Sequence, residues 1–245
     1  MHDADVMIQY PALVRRYNLD KMQMHLTRIQ KLIGRRMLQS KRNKPCFYME
    51  TEADVTDLMA YRPRLRKSLG IKITTNTFYI HALALGVEKY PLIAGRLSGD
   101  QIEIADHVNI GFAVNAPQGL VVPVIRDAGR KTLPQIAYEE KDLTDRARDN
   151  QLTLDDIEGE TVALSNLGIY GIDAFFGIIP PPASVILCVG NIIRKFLPIE
   201  GKPEVRRTVS LSLAIDGKEI TEPYAARFLM FIKDHIQNPQ RLMEE

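Results

Sequence analysis

Ser210-Leu211-Ser212-Leu213-Ala214-Ile215-Asp216-Gly217-Lys218-Glu219-Ile220-Thr221-Glu222 reads as three signals in succession. The alternating leucines and serines have period two, the pattern of a half-buried strand. Asp216-Gly217 is a turn signal. Thr221 stands where an N-cap belongs, ahead of Pro223 at the first helical position. The strand Arg207–Asp216 therefore hands the chain through a short polar turn to a helix, Pro223–Gln237.

The same mixture extends upstream. Leu26, Ile29, Leu32, Ile33 and Met37 fall at helical spacing, predicting a helix Leu26–Ser40 with a cationic outer face. Phe47–Val55 reads as a strand, and Thr56–Leu69 as a helix that tolerates Pro63 and is closed by Gly70. Asn76 is the predicted cap of a helix Thr77–Lys89 that is apolar almost all round, and such a helix is buried. Gln101–Ile104 is a short strand. Val108–Asn115 and Gly119–Arg126 are expected to form a hairpin in mid-sheet, because they are nearly unbroken apolar runs split by the turn residues Ala116-Pro117-Gln118-Gly119. A charged helix Leu133–Asn150 and strands Thr161–Asn166 and Ser184–Gly190 complete the pass. The fold class is α/β, a mixed sheet with packed helices. The division expected is an N-terminal arm, residues 1–25, and one domain, residues 26–245.

Composition narrows the function. The 245 residues carry 32 Lys+Arg against 30 Asp+Glu. A net charge of +2 excludes binding to nucleic acid by bulk charge. No run of about 18 uncharged apolar residues is present to span a membrane. Cys46 and Cys188 are too few for a disulfide framework or a four-cysteine metal site. No two of the five histidines lie at metal-ligand spacing, so no metal is expected. Reduced cysteines and an N-terminus without a basic-then-apolar pattern point to the cytoplasm or another reducing intracellular compartment.

Leu164-Ser165-Asn166-Leu167-Gly168 is the other suggestive stretch: a hydroxyl at a strand end, beside glycines that let the backbone turn. By itself it is equally a plain turn. Taken in order with Ile33-Gly34-Arg35-Arg36-Met37, His107-Val108-Asn109-Ile110-Gly111, Gly119 to Ala128 and Pro181-Pro182, it resembles the catalytic (E2 acyltransferase) domain of 2-oxo acid dehydrogenase complexes, over about Leu26 to Pro239.

The resemblance implies a chloramphenicol-acetyltransferase-like fold, a homotrimer, and an active site in a channel between subunits. Coenzyme A enters that channel from one side and a dihydrolipoyl arm from the other. In the family a histidine of an Asp-His-Arg-x-x-Asp-Gly motif is general base on the thiol, and the serine of Ser-Asn-Leu-Gly, here Ser165, steadies the tetrahedral intermediate. This chain departs from the motif. Aligned without gaps, Asp216 keeps its place, Gly217 stands for the histidine, Lys218 for the arginine, Thr221 for the second aspartate and Glu222 for the glycine.

A thiol has a pKa of about 8.5, so losing the base is serious; general-base catalysis contributes roughly 10²–10⁴-fold. The expectation is a non-catalytic homologue, structural or binding acyl-CoA or lipoyl groups. The alternative is an active coenzyme A-dependent acyltransferase with a rearranged base, Glu219 or Glu222. A third reading is a regulatory coenzyme A binder. Asn166, Gly168, Asp216, Lys218 and Glu219 are the candidates to line the ligand channel. No covalently bound cofactor is expected. Partners would be lipoyl domains or other complex components, although no lipoyl or subunit-binding domain is read within these residues. Leu242 and Met243, followed by two glutamates, argue against an anchor that builds trimers into a cage.

Overall fold

The computed structural model describes residues 26, 28–117 and 119–244. The stretch read as an arm lies outside them. Contacts divide the chain into two units, Met1–Arg35 and Arg36–Glu245, and the sheet belongs to the second. Helix α1, Arg28–Asn43, is followed by β1 (Cys46–Asp54), α2 (Thr56–Leu69) and α3 (Thr75–Lys89). Six short strands come next: β2 (Gly95–Ser98), β3 (Gln101–Ile104), β4 (Ile110–Phe112), β5 (Val114–Ala116), β6 (Gly119–Val121) and β7 (Val124–Ile125) lead into α4 (Leu133–Arg148) and β8 (Val162–Asn166). The chain ends with β9 (Val185–Val189), β10 (Ile193–Ile199), β11 (Lys202–Asp216), α5 (Glu222–Gln237) and α6 (Arg241–Glu244).

The main sheet has the order β1-β11-β9-β8-β4-β7, with β10 paired to β11. β8 runs parallel to both β9 and β4, and the other pairings are antiparallel. Strand β11 explains its own Leu/Ser alternation. Leu211, Leu213 and Ile215 enter the large core beneath the helices. Ala214 enters a second, smaller cluster with Ala163, Ile179, Ala183, Ile186 and Cys188. Small residues are needed on that face because the chain doubles back over it: the Gly177 N–H donates to Cys188 Sγ at 3.1 Å.

Helix α3 is buried continuously from Thr77 to Val87. Its Gly86 accommodates Phe228 and Ile232 of α5, which a Cβ would meet at 2.7 and 2.9 Å. Helix α2 and its left-handed Gly70 cap fall where the sequence predicts. The cap of α3 does not: Thr74, two residues before Asn76, forms a capping box with Thr77. Either residue type can cap, and the Thr74–Thr77 pairing decided.

The apolar runs also differ from expectation. β4 is interior, between β8 and β7, but the hairpin leaves the sheet, and β5 and β6 pair as a separate two-stranded sheet. Leu120 is 53% exposed there, whereas Ile110 and Phe112 are already buried within the chain. These runs therefore leave little apolar surface for a subunit contact. β2 and β10 were not read from the sequence. β10 pairs with the first half of β11, lengthening it to Lys202, through a turn with Glu200 and Gly201 at positive φ. Leu242 packs into the chain's own core.

Candidate functional site

Ser165 lies near the C-terminal end of β8. It pairs with Cys188 of β9, which pairs with Ser212 of β11. Its hydroxyl makes no hydrogen bond among the described residues. The turn beyond it is fixed by Asn166, whose Oδ1 accepts from the Gly168 N–H at 2.9 Å and whose Nδ2 donates to Asn76 Oδ1 at 2.8 Å. Gly168 is required by close approach: a Cβ would sit 2.3 Å from the Gly190 carbonyl oxygen. Asn166 and Gly168 thus shape the turn that presents Ser165.

Gly217 is at the other end of the sheet. Ser165 is level with Ser212, five residues earlier on β11. At about 3.3 Å of rise per residue, that is roughly 16 Å along the strands. One chain does not bring the two positions together. The Gly217 N–H donates to the Pro45 carbonyl at 3.1 Å, and a Cβ on Gly217 would lie 2.8 Å from that oxygen and 3.4 Å from the Phe47 ring.

The polar groups around Gly217 are occupied. Asp216 is fully buried and pairs with Lys44 Nζ at 2.9 Å, with Lys218 Nζ further off at 3.7 Å. Glu219 turns inward: Oε1 accepts from the Leu97 N–H at 2.8 Å, and Oε2 lies 2.6 Å from the Ser184 hydroxyl. Glu222 is exposed in the first turn of α5. Thr221 occupies the N-cap position of that helix without a side-chain capping bond. Cys46 stands opposite Asp216 on β1, and burial and the Asp216 charge push its thiol up. Burial pushes the Cys188 thiol up to about 12. Neither cysteine supplies a ready thiolate, and no cluster of metal-ligating side chains occurs among the described residues.

A further feature was not read from the sequence. A cleft of about 530 Å³ is lined by Arg62, Pro63, Arg66, Lys67, Lys72, Ile73 and Thr74. Among the described residues none of its four cations has an ion pair. Thr74 at its edge is two residues from Asn76, the partner of Asn166. The i, i+4 spacing of Arg62 and Arg66 on α2 was the available signal.

The profile of a family described as 2-oxoacid dehydrogenases acyltransferase (catalytic domain) matches residues 18–244, and the chain belongs to that family. It is 33% identical over 219 residues to the dihydrolipoyllysine-residue acetyltransferase component of the Rickettsia bellii pyruvate dehydrogenase complex, covering 88% of this chain and 52% of the relative. It is 31% identical over 223 residues to the mitochondrial pyruvate dehydrogenase protein X component of Mus musculus, covering 87% and 44%. The chain therefore spans about half the length of the curated relatives it matches. The solved structure of Azotobacter vinelandii dihydrolipoamide acetyltransferase (E2p) aligns with a TM-score of 0.84 and 30% identity, covering 91% of this chain and 93% of that one. That work concerned the role of a serine, a histidine and an asparagine in the enzyme's catalytic mechanism. A chloramphenicol acetyltransferase shares the fold at 13% identity and a TM-score of 0.52.

Proposed function

We propose that this chain is a non-catalytic member of the E2 acyltransferase family, a homotrimer that binds acyl-CoA or lipoyl groups without the ordinary thiol-activating base. Gly217 carries the reading. The serine, histidine and asparagine studied in the Azotobacter enzyme stand at the same intervals along that chain as Ser165, Gly217 and Thr221 along this one. Glu219 does not take over, being engaged with Leu97 and Ser184; Glu222 points from the exposed first turn of α5; and the Pro45 carbonyl closes on the position where a side chain would begin. The protein X relative shows that the family includes members named as components rather than as transferases.

Ligand binding is supported at the other end. The cationic cleft suits the phosphates of coenzyme A, and its edge leads through Thr74, Asn76 and Asn166 to Ser165. The separation of Ser165 from Gly217 supports a second copy completing the channel. Ile169 (81% exposed), Ile172, Phe176, Ile178 and Tyr48 form an apolar set on the loop after β8 and on β1 that such a contact would cover. The partners in this reading are lipoyl domains or other complex components, and the compartment is the cytoplasm or another reducing intracellular one, in keeping with two unbridged cysteines.

The test is transfer of acetyl groups from acetyl-CoA to dihydrolipoamide. The expected rate stays within the residual ~10³–10⁴-fold over buffer that an oxyanion donor provides alone. A turnover of about 1–10³ per second would overturn the reading and favour a rearranged base. Calorimetry with coenzyme A should show binding that weakens in Arg66→Glu and Lys72→Glu.

A further inference from the structure

Glu160 precedes β8 at the Gly217 end of the sheet, and nothing in the acyl-transfer reading uses it. Its side chain is 2% exposed, and Oε2 has no hydrogen-bond partner among the described residues. Oε1 lies 3.7 Å from the Arg36 guanidinium, beyond hydrogen-bond distance, and that guanidinium also donates to the Pro181 carbonyl. Gly111 on β4 makes room for the side chain, since a Cβ there would be 3.0 Å from Glu160 Cβ. A buried acceptor left unpaired costs about 1–3 kcal/mol, so an orphaned carboxylate oxygen marks a place where a donor belongs.

Glu160 also lines a cleft of about 300 Å³. Glu103 and Asp106 line the same cleft, and Arg96, the other charge there, lies 3.9 Å from Glu103. Glu158 adds negative charge from Glu160's own segment, while Arg126 donates to the Asp155 and Glu158 carbonyls. The carboxylates facing the cleft thus outnumber its cations. The rest of the lining is uncharged, from small residues (Gly95, Ala105, Gly159) to the apolar Ile104 and Pro182.

We propose that this cleft is a binding site for an aliphatic ammonium ligand, with one ammonium group donating to Glu160 Oε2 and a second cationic end meeting Glu103 and Asp106 at the mouth. An ammonium supplies the donor that Oε2 lacks and adds positive charge where the lining carboxylates outnumber the lining cation. An alkyl chain fits a cleft of this volume, near the lower end of small-molecule sites. Binding is linked to protonation. Burial raises the Glu160 carboxyl to about 7, against the pull of its own backbone N–H and then of Arg36, so the acid is neutral below that pH and attracts an ammonium above it. Amines stay charged across this range.

The experiment titrates the full chain with 1,4-diaminobutane, n-butylamine and n-butanol at pH 8 and pH 5.5, followed by calorimetry and by the carboxyl ¹³C resonance of Glu160. Expected are saturable binding of diaminobutane at pH 8, at least tenfold weaker binding at pH 5.5, weaker binding of butylamine, none of butanol, and a fall in the Glu160 titration midpoint when the amine is bound. Glu160→Gln should abolish binding, and Glu103→Gln should weaken only the diamine. Unfolding curves on both variants verify that they fold. Absence of saturable diamine binding at pH 8, binding that survives Glu160→Gln in a folded variant, or an equal effect of potassium chloride would overturn the proposal.

Discussion

The two ends of the main sheet have been treated differently. At the Ser165 end, the backbone comes so close to itself that side chains are excluded. Gly168 faces Gly190, and Gly190 in turn faces the Asp173 carbonyl, which a Cβ would meet at 1.8 Å. That end also presents the Ser165 hydroxyl and a cationic cleft, neither of them partnered among the described residues. At the Gly217 end, the turn residues nearest the glycine are held by their own chain: Asp216 by Lys44, Glu219 by Leu97 and Ser184, and Gly217 by Pro45. A half-site organised to meet a ligand shares a sheet with one closed upon itself. A motif can therefore lose its reactive side chain while the strand and helix on either side persist, because those elements are held by core contacts of Leu213, Ile215, Ala225 and Phe228.

Gly190→Ala and Gly168→Ala should break the Ser165 end most severely. Backbone cannot yield as a side-chain tip can, so each should cost roughly 3 kcal/mol or more in urea unfolding. Near-wild-type midpoints for both would show that the close approach is not needed.

Glu160→Gln tests the opposite end through pH. The Glu160 carboxyl is raised from 4.5 to about 7 in the folded chain. Its contribution to stability is fully present below about pH 4.5 and lost as pH rises through about 7. The glutamine variant should therefore gain on wild type by up to about 3 kcal/mol between those limits. A difference flat with pH would mean that the acid is ionised throughout.

Gly217→His asks whether the closed end lacks only a side chain. The Cβ meets the Pro45 oxygen at 2.8 Å, so a loss of about 1–3 kcal/mol is expected, without acetyl transfer. Full stability together with turnover would erase the contrast between the ends.

Ser165→Ala should have the smallest effect, within about 0.5 kcal/mol on stability, because the hydroxyl has no partner among the described residues to lose. A larger loss in thermal unfolding would assign Ser165 a structural duty and weaken the case for a ligand there.

The periodic signals in the chain were sufficient for the elements held by one dominant pattern. Leu and Ser alternation in β11, the all-apolar α3, and Gly70 closing α2 each depend on neighbours close in sequence. So did the family motifs and the substitution at Gly217, since they are runs of adjacent residues. What the sequence left undecided depends on distant partners. Thr74 rather than Asn76 caps α3, with Glu140 of α4 accepting a hydrogen bond from the Thr74 hydroxyl. The hairpin Val114–Val121 leaves the main sheet. β10 pairs where turn chemistry alone was a weak guide. Glu219 was legible as a candidate base, but its inward turn depends on Ser184 and Leu97, 35 and 122 residues away. The cleft around Glu160 gathers residues from β2, β3 and the approach to β8, which are adjacent only once the sheet is built. Local periodicity fixes which face of an element is apolar. Where a polar side chain finds its partner is set by packing between elements, and that only the tertiary structure decides.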